Sequence, residues 1–98
     1  MPFGNPVPRN FTATSIRSDA PADGGVYGIS NAREWLYIGA SENIRQALSS
    51  HLDEQDTLLI RKEPVGFVYE TCHKSVRDLR CRRLISEYAP VCNRGTAR

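Results

Sequence analysis

The chain has 98 residues, enough for one domain with a modest core and too few for a second domain. Its apolar fraction of 40% is ordinary for a globular protein, and no apolar run approaches the roughly 20 residues that a membrane-spanning helix needs. The net charge of +2 is unevenly distributed. Residues 1–72 hold six basic and nine acidic residues (−3), and residues 73–98 hold seven basic and two acidic residues (+5). A basic C-terminal quarter is compatible with a phosphate-backbone partner and equally with a solvated helix face.

The cysteines do not form a recognisable site. Cys72, Cys81 and Cys92 are odd in number and widely spaced, which argues against a disulfide scaffold. A zinc site that combined them with His73 would lack any C-x-x-C spacing, and two adjacent residues could hardly both turn inward. We therefore expect ordinary reduced thiols. The N-terminus has prolines where a signal peptide would need an apolar core, so we expect a cytoplasmic protein.

The first part of the chain is rich in proline, glycine and small polar residues. Within it, residues 11–16 alternate in character and are interpreted as a short edge strand. The rest of residues 1–23 is predicted to be an N-terminal arm, packed over the domain or partly disordered. A turn over residues 20–24 then leads into a domain over residues 24–93, and residues 94–98 form a tail.

The organising segment follows this turn. Residues 25–29 and 35–39 are rich in β-branched and aromatic residues and are separated by a polar interval, which predicts a β-hairpin with a longer loop. A helix is predicted over residues 42–52 with Ser41 as its cap. Its inward face holds residues at helical spacing: Ile44, Ala47, Leu48, His51 and Leu52.

Two further elements complete the predicted fold. Residues 65–71 have high β-propensity and form a third strand, while residues 57–60 are left open between a short helix and an irregular linker. A last helix is predicted to begin near Ser75, with a capping box to Asp78, and to end before Pro90. The expected fold is therefore α/β of the α+β type, with a small three-stranded antiparallel sheet flanked by helices.

The strand–turn–strand–helix unit resembles the core of the GIY-YIG nuclease family. The two tripeptides that name the family occur here as residues 25–27, Gly-Val-Tyr, and residues 37–39, Tyr-Ile-Gly. Residues 41–44, Ser-Glu-Asn-Ile, match the element that follows them. The closing pattern of the family's last helix is similar to Leu84, Ile85, Pro90 and Asn93. The resemblance covers about residues 24–93.

The resemblance implies a metal-dependent phosphodiesterase site. In the family, a glutamate on the last helix anchors a divalent metal and an arginine on the first helix meets the phosphate. The motif tyrosines and a histidine or tyrosine surround the nucleophile, and the terminal asparagine braces the site. Carried over by position, the expected catalytic residues are Tyr27, Tyr37, His51 and Asn93, with Mg²⁺ or Mn²⁺ as cofactor if the site is active.

Two charged groups of the family pattern are missing. Ala47 stands at the arginine position and Cys81 at the glutamate position, and Arg45 points to nearly the opposite side of its helix. Possible relocated metal ligands are Asp78, one turn before Cys81, and Glu70 on the third strand. Losing one preorganised charge-stabilising donor alone costs on the order of 10²–10³ in rate, so both losses predict a very poor nuclease.

Three hypotheses follow. The leading one is a degenerate GIY-YIG-like domain that has lost most or all cleavage and acts as a nucleic-acid-binding or accessory module. The second is an active, repair-type DNA endonuclease with relocated catalytic groups, and the third is a protein-interaction domain that reuses the fold. Nucleic acid, DNA or otherwise, is the expected partner, and no membrane is expected. The expected contacts lie on the basic last helix: Lys74, Arg80, Arg82 and Arg83.

Overall fold

The central element of the structure is an antiparallel β-hairpin. A computed structural model of the chain describes Phe3 and residues 8–53 and 58–93. Strands β2 (Gly25–Ser30) and β3 (Trp35–Ser41) pair antiparallel with a bulge between Ile29 and Ser30, which confirms the predicted hairpin. Asn31 stabilises the connecting loop because its Oδ1 accepts hydrogen bonds from the backbone N–H groups of Arg33 and Glu34, at 2.8 and 2.9 Å.

The hairpin belongs to an antiparallel sheet with the strand order β1-β4-β2-β3. Strand β4 (Gly66–Thr71) pairs with β2 along its whole length. Strand β1 (Arg9–Asn10) pairs with β4 only at Phe67 and Gly66. The predicted α+β class is confirmed, with this two-residue edge strand as a fourth strand beside the three that were predicted.

The two sides of the sheet carry separate core clusters because side chains alternate along a strand. Tyr27 and Ile29 face the side that we call the α2 side. Val26 and Val68 face the α4 side. On the α2 side the cluster comprises Phe11, Ile16, Ala20, Tyr27, Ile29, Leu36, Ile44, Leu48, Leu59, Phe67 and Cys92. On the α4 side it comprises Phe3, Val26, Ile38, Val68 and Leu84.

The N-terminal segment corrects one prediction. Residues 11–16 are not an edge strand, because Thr12 caps a helix, α1 (Ala13–Asp19), by accepting a hydrogen bond from the Ser15 N–H at 3.2 Å. Ile16 is 1% exposed, so α1 contributes directly to the α2-side core. The alternation that suggested a strand instead places Phe11 before the helix and Ile16 on its inner face. The predicted tail, residues 94–98, lies outside the described residues.

Two helices follow the hairpin. Helix α2 (Ile44–Asp53) begins two residues later than predicted, because Asn43 rather than Ser41 accepts the capping hydrogen bond, from the Gln46 N–H at 3.0 Å. The predicted inward residues Ile44 and Leu48 are fully buried. A short helix α3 (Leu58–Arg61) occupies the segment that the sequence left open.

Helix α4 (Lys74–Tyr88) covers the other side of the sheet. Its cap is His73, whose Nδ1 accepts a hydrogen bond from the Ser75 N–H at 3.1 Å, so the predicted Ser75 cap is wrong by two residues. The helix ends where Ala89 adopts a left-handed conformation with φ of 48°. None of the helices in the described ranges is long and apolar enough to cross a bilayer.

The packing of α1 predicts that the N-terminal segment is part of the folding unit. Truncating Ile16 to Ala should lower the free energy of unfolding by about 2–5 kcal/mol, because it leaves a cavity in the α2-side core. The matched control is Val76→Ala on the surface of α4, where Val76 is 50% exposed and a change below about 0.5 kcal/mol is expected. Urea denaturation measures both. Equal, small effects would show that α1 is dispensable for stability.

Candidate functional site

The candidate site begins with a cross-strand pair. Tyr27 on β2 lies directly opposite Gly39 on β3, and the tyrosine is 4% exposed. A Cβ placed on Gly39 would lie 2.7 Å from the Tyr27 hydroxyl oxygen and 2.8 Å from Cε2 of Tyr37. A side chain there would collide with both rings. The absence of a side chain at Gly39 therefore leaves room for the Tyr27 hydroxyl and the Tyr37 ring. Glycine is needed at this position for space and not for backbone conformation.

His51 completes the group from the last turns of α2. Its Nε2 lies 2.8 Å from the Tyr27 hydroxyl oxygen, a hydrogen bond whose donor depends on the histidine tautomer. The ring centroid of His51 is 4.8 Å from that of Tyr37 and 5.7 Å from that of Tyr27, and the two tyrosine centroids are 6.2 Å apart. We call Tyr27, Tyr37 and His51 the aromatic cluster. It presents hydroxyl and imidazole groups within one hydrogen-bonded unit.

Asn93 acts on the backbone beside this cluster. Its Oδ1 accepts from the Ile38 N–H at 2.8 Å, and its Nδ2 donates to the Ile38 carbonyl at 2.9 Å. Two backbone bonds continue the same contact, from Val91 N–H to the Trp35 carbonyl and from Cys92 N–H to the Leu36 carbonyl. The segment after α4 thus pairs along β3, the terminal strand of the sheet, and Asn93 fixes the peptide next to Tyr37.

The position that precedes His51 by one turn carries no charge. Ala47 is partly buried and packs against the α2-side core. The nearby Arg45 does not replace the missing arginine, because its Nε donates to the Ala20 carbonyl at 2.8 Å and its backbone N–H bonds the Pro21 carbonyl. Arg45 therefore ties α2 to the loop after α1, on a different part of the helix surface from His51.

Cys81 lies on the other side of the sheet from the Tyr27 ring. It packs against the α4-side core. Burial raises the pKa of the Cys81 thiol, and the nearby charges of Asp78 and Cys72 raise it further. The thiol is therefore held in its protonated form, whereas metal ligation needs the thiolate and Mg²⁺ prefers oxygen donors. The side chain at this position does not fit a Mg²⁺ or Mn²⁺ ion.

The two carboxylates considered as replacements have other surroundings. Glu70 faces the α4 side and accepts two hydrogen bonds from Arg80, at 2.7 Å from Nε and 2.8 Å from Nη2. The hydrogen bond that Arg80 donates to the Glu70 carboxylate raises the pKa of Arg80, as expected for a charge-assisted pair. Asp78 is exposed on the surface of α4. Within the described ranges, no group of three or more His, Cys, Asp or Glu side chains is placed to hold a metal.

The four residues of α4 that are predicted to contact nucleic acid divide into two kinds. Lys74, Arg82 and Arg83 are exposed and remain available for an anionic partner. Arg80 is different, since its side chain is only 17% exposed and is paired with Glu70. The sequence did not predict this pair. Glu70 lies on a strand and Arg80 on a helix, and no local sequence pattern indicates that these two elements pack together.

Comparison with known proteins identifies structural relatives. No protein-family model matches the chain, and no curated protein sequence matches it. Among solved structures, it is similar to the GIY-YIG N-terminal endonuclease domain of UvrC from Thermotoga maritima bound to its catalytic divalent cation, magnesium. The TM-score is 0.65 with 26% identity, over 78% of this chain and 92% of that one.

Two variants of the same Thermotoga maritima domain, each bound to its catalytic divalent cation, match as well. One has a tyrosine replaced by phenylalanine and the other an asparagine replaced by alanine. Both have a TM-score of 0.65 and 26% identity, over 78% of this chain and 91% of theirs. The resemblance to the GIY-YIG family is confirmed, and the fold of this chain is GIY-YIG-like.

The contact between Gly39 and the tyrosines gives a direct test of the site's construction. Gly39→Ala should displace the Tyr27 hydroxyl from His51, since the added methyl group occupies the space of the hydroxyl. We expect the His51 ring resonances in NMR spectra to shift as they do in Tyr27→Phe, which removes the hydrogen bond directly. Gly28→Ala is the matched control, because its methyl group would instead meet Trp35 and Phe3. Unchanged His51 resonances in Gly39→Ala would contradict this account.

Proposed function

We propose, on the premise that this chain has the GIY-YIG fold, that it is a nucleic-acid-binding or accessory domain with little or no phosphodiesterase activity. Its frame follows the nuclease domains to which it is similar. Its partner is DNA or another nucleic acid, and its compartment is the cytoplasm. The observation that carries the proposal is the combination of a complete aromatic cluster with uncharged side chains at the two charged positions.

The surroundings of those two positions support the loss of activity. Ala47 lies one turn before His51 and packs against apolar residues. This position therefore offers no cation to a phosphate beside His51. Cys81 holds a protonated thiol where a hard cation would need a carboxylate. Neither Arg45 nor Glu70 compensates, because each is engaged in a structural contact elsewhere.

The cluster can still bind without cleaving. The partly exposed His51 imidazole can donate a hydrogen bond to a phosphate oxygen, and the partly exposed Tyr37 ring can stack on an unpaired base. On the opposite side of the sheet, α4 exposes Lys74, Arg82 and Arg83 to solvent. These cations would supply the sequence-independent attraction to a phosphate backbone that dominates non-specific binding.

A second candidate function is an active endonuclease in which Asp78 carries the metal. It is favoured by the intact Tyr27–His51 hydrogen bond, which holds two groups of the kind that assist proton transfer. Asp78 lies three residues before Cys81, slightly less than one helical turn. It is exposed, so its carboxylate is accessible to an ion. A third function, a protein-interaction domain, would need no contact with nucleic acid.

The cleavage assay separates these functions. Incubated with branched, single-stranded and duplex DNA in Mg²⁺ or Mn²⁺, the protein should leave the DNA intact. The double variant Ala47→Arg/Cys81→Glu should gain metal-dependent cleavage of at least about 10²-fold over the wild-type background, because each change restores a charged group. Adding Tyr27→Phe to the double variant is the control and should remove the gain. Wild-type cleavage that disappears in Tyr27→Phe and in Asp78→Ala would instead establish the endonuclease.

A binding assay tests the remaining part of the proposal. Fluorescence anisotropy with a labelled oligonucleotide should show affinity that falls steeply as salt rises. Reversing the three exposed cations, in Lys74→Glu/Arg82→Glu/Arg83→Glu, should reduce binding by at least about tenfold. The matched control reverses an exposed arginine of the hairpin loop, in Arg33→Glu, and should bind nearly as well as the wild type. Negligible binding at low salt would favour the protein-interaction domain.

A further inference from the structure

Arg77, the fourth residue of α4, has an unusual environment. Its Nε is buried and has no hydrogen-bond partner among the described residues. Its guanidinium makes a single long hydrogen bond, from Nη2 to the Cys72 carbonyl at 3.4 Å. No ion pair of Arg77 is found in the described part of the chain. Arg80, which lies one turn later on α4, is by contrast paired with Glu70. Arg77 is thus a half-buried cation for which the described residues supply no counter-ion.

Such an arrangement calls for an explanation. An unsatisfied buried donor costs free energy, and the cost is larger when the group is charged. Buried polar groups without a partner are rare in folded proteins, and an ion or ligand bound at the site is one of the usual reasons.

The backbone beside Arg77 is shaped to receive its guanidinium. Gly24, the residue before β2, lies directly against Nη2 and Cζ of Arg77. A Cβ on Gly24 would overlap Nη2 and come within 2.7 Å of Cζ, so the planar group occupies the space that any other residue would fill. The φ angle of Gly24 is not positive, which means that the backbone conformation alone does not require glycine here.

We propose that Arg77 binds a phosphate group of the nucleic-acid backbone. This inference rests on the proposed function and identifies one contact of it. To bind the phosphate, the side chain must turn away from Gly24, so that Nε–H and Nη2–H together meet two phosphate oxygens in the bidentate geometry that guanidinium groups favour. The bound phosphate then satisfies the donor that the unliganded protein leaves without a partner.

Two neighbouring features favour an anion at this place. Arg77 lies near the beginning of α4, a 15-residue helix whose positive end attracts negative charge. Lys74 lies three residues earlier, on the same turn of the helix, and is exposed. Phosphate is favoured over a carboxylate because this cation adjoins the basic surface already proposed to meet a phosphate backbone.

The test compares Arg77→Met with Arg77→Lys, and the control is Arg33→Met, which changes an exposed arginine of the hairpin loop. Affinity for a labelled single-stranded oligonucleotide is measured over a salt series by anisotropy. Arg77→Met should weaken binding about tenfold and reduce the slope of log K against log[salt] by about 0.7, the value for one phosphate contact. Arg77→Lys should keep most of the slope and lose part of the affinity, because it retains the charge and not the fork. Arg33→Met should change neither.

Thermal unfolding distinguishes a binding role from a structural one. Without ligand, Arg77→Met should be at least as stable as the wild type, because it removes an unsatisfied donor from a buried position. With oligonucleotide, the wild type should gain more stability than the variant. Lower stability of Arg77→Met with unchanged affinity and salt slope would overturn the inference and assign Arg77 a packing role.

The same variants separate this inference from the proposed function. If the wild type binds oligonucleotide and Arg77→Met binds equally well, the Arg77 contact is refuted and the proposed function stands. If the wild type binds no oligonucleotide, the proposed function and this contact both fail.

Inorganic phosphate is the second probe. Suppose that inorganic phosphate raises the unfolding temperature of the wild type and not of Arg77→Met, and that Arg77→Met binds oligonucleotide as well as the wild type does. The ligand of Arg77 is then free phosphate, and the nucleic-acid contact is overturned.

Discussion

The close approach of Tyr27 and Gly39 across the hairpin is the contact on which the rest of the site depends. The antiparallel register places them opposite each other, and the missing side chain leaves room for the Tyr27 hydroxyl and the Tyr37 ring. Only then can the hydroxyl reach His51 at 2.8 Å. Helix α2 must in turn lie close to the sheet, which the fully buried Ile44 and Leu48 ensure. The aromatic cluster is thus built by ordinary packing rather than by charged interactions.

The aromatic cluster is held without a charged side chain at position 47 or position 81. The aromatic cluster is held by Gly39 on one side and by α2 on the other, and Asn93 fixes the β3 backbone through two hydrogen bonds to Ile38. None of these contacts needs an arginine at position 47 or a carboxylate at position 81. Ala47 and Cys81 pack against the two core clusters, at places where a charged group would have to remain partly hydrated.

Much of the fold could be predicted from the sequence, since the hairpin and the inner face of α2 follow from residue periodicity. The main error concerned residues 11–16, where six residues of alternating character fit a strand and a short helix equally well. The helix caps were misplaced because serine, asparagine and histidine can all accept the capping bond and tertiary contacts select among them. The tyrosines, His51 and Asn93 were identified through a resemblance, whereas the Glu70–Arg80 pair and the environment of Arg77 depend on the packing of distant segments.

The central claim is that this GIY-YIG-like fold keeps the aromatic half of a nuclease site and lacks the half that holds a metal. The most direct measurement is a crystal soaked in Mn²⁺, with anomalous scattering to locate bound ions. We expect no ordered ion at the aromatic cluster or beside Cys81 on the other side of the sheet, because the Cys81 thiol is protonated and Glu70 is paired with Arg80. An ordered ion there with full oxygen coordination would contradict the account, since the site would then have retained a working metal centre.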